Sequence, residues 1–340
     1  MVKAICNEIR LRKDEISAPI ESIYFGGGTP SLLGVEEIQS ILDTIHQNYQ
    51  VMPGSEITLE ANPDDLTKEK AVQLKSLKIN RLSIGIQSFF DEDLHWMNRT
   101  HSGKSAELAI QHAIENGFNL TIDLIYGIPG LSNERWIENL NKANQFGINH
   151  ISSYCLTVEE NTALSHFIKK GKYIQPDEEQ ALEQFDILCD FARNNGFEQY
   201  EISNFARNKK YAVHNTNYWN GKSYLGIGPS AHSFNDGMRS WNVANNTQYI
   251  QSIAKNELPS EKEILTQENQ FNEYIMTGLR TMWGCDLTVI QERFPTFYLS
   301  QQNLIDEKLK SGLLDIVNNH LIITDKGKFL ADGIASDLFV

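Results

Sequence analysis

Cysteine is scarce: Cys6, Cys155, Cys189 and Cys285 are the only four among 340 residues, and none lies near another in the chain. Such spacing excludes a disulfide-dense secreted scaffold and any close-set metal knuckle, and it points to reduced thiols in a cytoplasmic protein. Long hydrophobic runs are missing too. None approaches the ~20 apolar residues of a membrane-spanning helix, and the Met1 to Lys13 start lacks the layout of a signal peptide. Basic charge is in deficit, with 30 Lys plus Arg against 44 Asp plus Glu and a net charge of −14. Nucleic acid and anionic membrane are gripped first by an excess of Lys and Arg, so neither is expected as the primary partner. Peripheral membrane contact and a homodimer are left open. What is present is 41% apolar and 22% charged residues without low-complexity bias, which excludes wholesale disorder and suits two globular domains.

Up to Glu201 the chain alternates short apolar runs with amphipathic stretches. A first helix is expected over the opening sixteen residues, ending at Ser17-Ala18-Pro19. Expected strands are Ile20 to Phe25, Glu56 to Leu59, Arg81 to Ile86, Leu120 to Ile125, His150 to Tyr154 and Gln199 to Ile202. Helices fall between them, and this grammar means parallel strands joined by right-handed crossovers, an α/β class. Gly26, Glu60, Gln87 and Asp123 lie at or near the carboxyl ends of successive expected strands. An open sheet binds at one switch point, whereas a barrel draws residues from many strand ends, so a partial (β/α) barrel is expected. Three regions follow: the barrel over 1–206, a Gly, Asn and aromatic-rich segment over 207–260, and a helix-plus-hairpin lobe over 261–340 that resembles a winged helix. That lobe holds seven Lys plus Arg against twelve Asp plus Glu, which argues against a DNA reader and for a cover over the barrel mouth.

The chemistry-bearing residues cluster around a few motifs. In Gly26-Gly27-Gly28-Thr29-Pro30, three glycines permit positive φ and let a ligand approach bare amide N–H groups; the plain alternative is a tight turn. No Gly-Lys-Ser/Thr follows, so it is not a nucleotide P-loop. Glu60 ends an alternating run and is either solvated at a rim or partnered with a ligand or an arginine. Gln87 offers a neutral donor and acceptor, Arg99 a bidentate cation, and Asp123 interrupts an apolar strand. An acid, an amide, a cation and a second acid around one Gly-rich loop suit a nucleoside bearing an amino-acid tail. Farther on, His214-Asn-Thr-Asn-Tyr218-Trp219 combines an imidazole with two flat side chains. His214 is a metal or haem ligand, or a loop histidine held by hydrogen bonds, and His232 carries a similar or weaker case.

The ordered motifs Gly-Gly-Gly-Thr-Pro, Glu-Ala-Asn-Pro, Gly-Ile-Gln-Ser, Met-Asn-Arg, Asp-Leu-Ile-Tyr-Gly-Ile-Pro and His-Asn-x-x-Tyr-Trp resemble the radical SAM coproporphyrinogen oxidase-like family, nearest its HemW haem-chaperone branch. The resemblance spans nearly the whole chain. It implies a partial barrel binding S-adenosylmethionine beside a 4Fe-4S cluster. By matching motif, Gly27, Gly28 and Thr29 would meet the methionine part of that cofactor, Glu60 and Arg99 its amino-acid or nucleoside groups, and Gln87 and Asp123 its ribose. It also makes His214 the preferred haem ligand.

One departure stands out. The family holds its cluster through a Cys-x-x-x-Cys-x-x-Cys run on the loop after the first barrel strand, and that run is absent here, so no metal ligand is expected in these 340 residues. The expectation is that Met1 is internal to a longer protein whose upstream part carries the first strand and the cysteines; the alternative is a chain that has lost its cluster. Implied by the resemblance is a haem chaperone that binds haem and S-adenosylmethionine and delivers haem to acceptor proteins. The rivals are oxygen-independent coproporphyrinogen III oxidation and a clusterless nucleoside-binding protein.

Overall fold

The computed structural model describes residues 1–235 and 237–340, so position 236 of the aromatic-rich segment lies outside the described residues. The chain opens with α1 (Val2–Leu11), β1 (Ile20–Phe25), α2 (Val35–Asn48), β2 (Val51–Ala61) and α3 (Lys68–Ser76). It continues through β3 (Arg81–Gln87), α4 (Asp91–Trp96), α5 (Gly103–Glu115), β4 (Asn119–Tyr126) and α6 (Asn133–Gln145). Then come β5 (His150–Cys155), α7 (Ala163–Lys169), α8 (Glu178–Asn194), β6 (Phe197–Glu201) and β7 (Asn204–Arg207). The remainder holds α9 (Val213–Trp219), β8 (His232–Asn235), β9 (Met238–Asn242), α10 (Asn246–Ala254), β10 (Ser260–Ile264) and α11 (Gln267–Leu279). It closes with β11 (Cys285–Asp286), α12 (Leu287–Arg293), α13 (Pro295–Lys310), β12 (Leu314–Val317), β13 (His320–Ile323) and α14 (Ala331–Asp337).

Seven strands form the main sheet in the order β1-β2-β3-β4-β5-β7-β6, with β2 to β5 running parallel. This is the half-barrel expected from the alternation. Strand β3 is buried along nearly its whole length, as a parallel strand covered on both faces must be. The helices that cover it carry apolar residues at helical spacing, such as Ala106, Ala109, Ile110 and Ala113 of α5. Their starts are set by side-chain caps: Ser102 accepts from Ser105 N–H, Ser132 from Arg135 N–H and Thr67 from Lys70 N–H.

Three elements differ from expectation. Helix α1 stops at Leu11 because Arg12 turns away, its guanidinium donating to Glu8, Glu15, the Gly226 carbonyl and Ser233. Strand β2 starts at Val51 despite Pro53-Gly54, because Ile20 N–H donates to the Gln50 carbonyl and the Ser55 hydroxyl to the Ile20 carbonyl. The sheet is also not wholly parallel. Strand β7 was not expected, and it runs antiparallel to both β5 and β6. Its turn, Ile202-Ser203, has no Gly or Asn signal; Ser203 N–H is instead satisfied by the Glu201 carboxylate at 3.0 Å.

The chain packs as two compact units. One comprises Tyr24–Leu32 and Ile57–Ala212, and it contains the Gly-rich loop and the strand-end residues. The other comprises Met1–Ile23, Leu33–Glu56 and Val213–Val340. In the latter, β10, β9 and β8 make one small antiparallel sheet, while β11, β13 and β12 make a second beside α11 to α13. At its heart lies Glu8, fully buried, whose carboxylate accepts from Tyr249 Oη at 2.5 Å, Asn242 Nδ2 at 2.7 Å, Gly228 N–H at 2.8 Å and Arg12 Nη1 at 3.1 Å.

Candidate functional site

Strand β1 ends at Phe25, and the backbone then crosses into left-handed conformation at Gly27 (φ 72°) and Gly28 (φ 62°), with open space where side chains would stand. A residue with a Cβ would be strained there, and the exposed amide edge is the feature a ligand can use. Gly26 is required for a different reason: a Cβ would lie 2.6 Å from the Tyr24 ring and 3.1 Å from Glu60 Oε1. Thr29 is half-buried, and its carbonyl accepts from Leu32 N–H to close the short turn after the loop.

Glu60 projects from the penultimate position of β2. Tyr24 Oη donates to its Oε1 at 2.8 Å and Gly27 N–H to its Oε2 at 3.1 Å. The register pairs Glu60 with Ser83 on β3 and Asp123 on β4 with Ser152 on β5. Ser83 Oγ donates to Asp123 Oδ1 at 3.3 Å, and Ser152 also bonds that carboxylate. A polar row thus crosses five strands: Tyr24, Glu60, Ser83, Asp123 and Ser152. Burial, then the neighbouring Glu60 charge, pushes the Asp123 carboxyl up to about 7, against the pull of the two serine hydroxyls and of Arg99. Burial also raises the Tyr24 and Tyr154 phenols, so Tyr24 is the neutral donor to Glu60.

Gln87, the last residue of β3, is buried and holds φ 64°, beyond an irregularity in the β3–β4 register. Its amide nitrogen folds over Gly85, where a Cβ would come within 2.8 Å. Arg99 follows α4, its N–H bonded to the Leu94 carbonyl and its side chain exposed; its charge reaches both Asp123 and His101. The two carboxylates and the Gly-rich loop therefore stand together, and Arg99 acts on Asp123 from the rim. Sequence reading missed Tyr24, Ser83, Ser152 and Tyr154. Their signal was available as residues two apart on one strand face, Ser83 with Gly85 and Ser152 with Tyr154, which the period-2 geometry of strands groups together.

The His-Asn-x-x-Tyr-Trp patch is helical and forms α9. His214 Nδ1 lies 3.2 Å from Ser22 Oγ, and the backbone N–H groups of Val213 and His214 donate to the two Glu56 oxygens at 3.1 and 3.0 Å. Glu56 thus caps the start of this helix. Burial lowers the pKa of His214, and Glu56 opposes that shift. The imidazole is consequently neutral at physiological pH, the form that ligates metal. His232, on β8, packs its ring 6.2 Å from Trp241.

The four cysteines do not fit a cluster. Cys6 and Cys285 are buried, Cys155 and Cys189 half-buried, and none of the four is joined in a disulfide. Cys6 Sγ contacts Ser40, and Cys285 Sγ donates to the Tyr274 carbonyl. Among the described residues no three His, Cys, Asp or Glu side chains are arranged to hold a metal ion. Nor is any helix among them long and apolar enough to cross a membrane.

Half-barrel, glycine loop and strand-end acids together define the radical SAM class of fold, and the model of the Radical SAM superfamily matches residues 4–143. The solved structure of coproporphyrinogen III oxidase (HemN) from Escherichia coli superposes with a TM-score of 0.84, covering 99% of this chain and 82% of that one at 22% identity. At that identity the likeness bears on the fold alone. Among curated proteins, Heme chaperone HemW of Mycobacterium tuberculosis is 31% identical over 98% of this chain and 85% of its own length. Heme chaperone HemW of Bacillus subtilis is 34% identical over 93% and 84%. The chain belongs to the HemW family.

Proposed function

We propose that the protein binds haem, holds S-adenosylmethionine at the strand-end row, and delivers haem to acceptor proteins. The observation that carries the haem reading is the setting of His214: a neutral imidazole on a helix capped by Glu56, four residues before Tyr218 and five before Trp219, in a member of the HemW family. Neutral imidazole is a ligand for iron, and flat aromatic side chains suit a macrocycle.

The residues of the row fit S-adenosylmethionine. Gly27 and Gly28 offer a bare backbone edge to its methionine part, Thr29 borders them, and Glu60 supplies the anion for its cationic tail. Arg99 at the rim suits its carboxylate. Asp123, protonated near neutrality, can both donate to and accept from ribose hydroxyls, with Gln87 beside them. When bound, the cofactor supplies a sulfonium centre with reactive carbon–sulfur bonds. The cysteines of this chain do not make a cluster site, so a 4Fe-4S cluster in the working protein would draw its thiolates from elsewhere.

Haem titration followed at the Soret band, together with equilibrium dialysis of S-adenosylmethionine, tests both halves. Saturable haem binding that is weakened or spectrally altered by His214→Ala, and cofactor binding abolished by Glu60→Gln, are expected. A wild-type protein without haem-dependent absorbance, or one whose spectrum His214→Ala leaves unchanged, would overturn the haem reading.

A further inference from the structure

Beyond His214, the same compact unit holds a row of rings. Trp219 and Tyr218 meet at 5.1 Å between centroids, Tyr218 and Tyr224 at 5.6 Å, and Tyr224 and Phe234 at 6.4 Å. A guanidinium stands toward each end. Arg280 lies over the Trp219 indole, 4.8 Å from its centroid. Arg239 is the cross-strand partner of Phe234, and its charge is felt by the Tyr224 phenol.

Helix α11 sets the spacing of these two cations. Arg239 Nη2 is held by Glu273 Oε1 at 2.7 Å, and Arg280 caps the same helix seven residues on. Seven residues are nearly two helical turns, so positions 273 and 280 share a face about 10 Å apart along the axis. One of the two cations keeps an unused donor among the described residues. Arg280 is paired with Asp332, itself largely exposed. The Nε–H of Arg239 is buried and, among the described residues, without a hydrogen-bond partner. An unmade buried donor on a charged group is costly to fold, and a ligand oxygen would satisfy it.

We propose that Arg239 and Arg280 recognise the two carboxylates of a flat, apolar dicarboxylate laid along the Trp219–Tyr218–Tyr224–Phe234 row, namely the propionates of haem. The inference rests on the haem reading above and assigns its specificity. Planar guanidinium groups match carboxylates bidentately, and two of them, one on β9 held by Glu273 and one at the end of α11, distinguish a porphyrin diacid from its neutral esters. Glu273 and Asp332 are then internal stand-ins that the propionates displace.

The test compares haem with haem dimethyl ester, titrated into wild-type protein, Arg239→Gln, Arg280→Gln and Glu273→Gln. Wild type is expected to prefer the diacid by about tenfold or more, and each arginine variant to lose about tenfold for haem while binding the diester as wild type does. Glu273→Gln is expected to tighten haem binding, a gain that a purely structural ion pair would not produce. Equal affinity for diacid and diester, unchanged by either arginine substitution, would overturn the assignment and leave haem binding standing. Failure of wild type to bind haem at all would overturn both.

Discussion

Tyr24 and Glu60 form a donor–acceptor pair across β1 and β2, with 2.8 Å between phenol and carboxylate, and Gly27 N–H holds the second oxygen. The Glu60 carboxylate is therefore oriented before any ligand arrives, by the residue two places ahead of the Gly-rich loop and by the loop itself. Tyr24→Phe removes one neutral-to-charged hydrogen bond and keeps the ring. Affinity for S-adenosylmethionine should fall about tenfold, with a loss of folding stability of about 1–2 kcal/mol at most. Dialysis and denaturant melts on the same samples check both; unchanged affinity would remove Glu60 orientation from the account of the site.

The raised Asp123 carboxyl makes stability depend on pH. Its ordinary value is 3.8 and its folded value about 7, so between roughly pH 4 and pH 7 the folded chain keeps a proton that the unfolded chain has released. The unfolded state binds fewer protons there, and this group's contribution to stability falls as pH rises through the window. Asp123→Asn should flatten that part of the ligand-free profile and raise the melting temperature at pH 8. Thermal melts across pH 4–8 decide it, and parallel wild-type and variant profiles would count against a protonated Asp123.

Glu8 and Arg12 are a buried pair, 0% and 3% exposed. Replacing Glu8 by Ala removes the shared acceptor of the buried Tyr249, Asn242 and Gly228 donors and one of the two carboxylates paired with Arg12, at a cost of about 3–5 kcal/mol. Urea unfolding should show a large drop in midpoint for Glu8→Ala. A midpoint within experimental error of wild type would mean the network is not what ties α1 to the Gly226–Gly228 segment.

At Gly226 a Cβ would lie 2.0 Å from the His232 carbonyl oxygen. Gly226→Ala must push two backbone segments apart, for at least the roughly 1–3 kcal/mol of an overpacked core site. Limited proteolysis of the 207–260 region together with thermal melts should report this as faster cleavage and a lower transition. An unaltered pattern would show that the segment yields freely.

Much of the half-barrel was legible because its cause is local and periodic. Apolar runs such as Arg81–Gln87, helical spacing such as Ala106, Ala109, Ile110 and Ala113, and capping serines each act within a few residues. Strand β7 was not legible, since its tight turn depends on the Glu201 carboxylate accepting from Ser203 N–H rather than on a glycine. The end of α1 was hidden likewise: what draws Arg12 out of the helix is a carbonyl and a hydroxyl more than 200 residues away.

For the site, sequence alone named its two carboxylates, its arginine and its bare loop, because a charge in an apolar strand and three consecutive glycines are anomalies wherever they occur. Only tertiary structure decided their states. Burial of its own carboxyl and then the proximity of Glu60 raise Asp123, Tyr24 orients Glu60, and Glu56 caps the helix that carries His214. Those are electrostatic and hydrogen-bonding effects that act over a few ångströms. The distances involved are set by strand register and packing, which residue order along the chain does not specify.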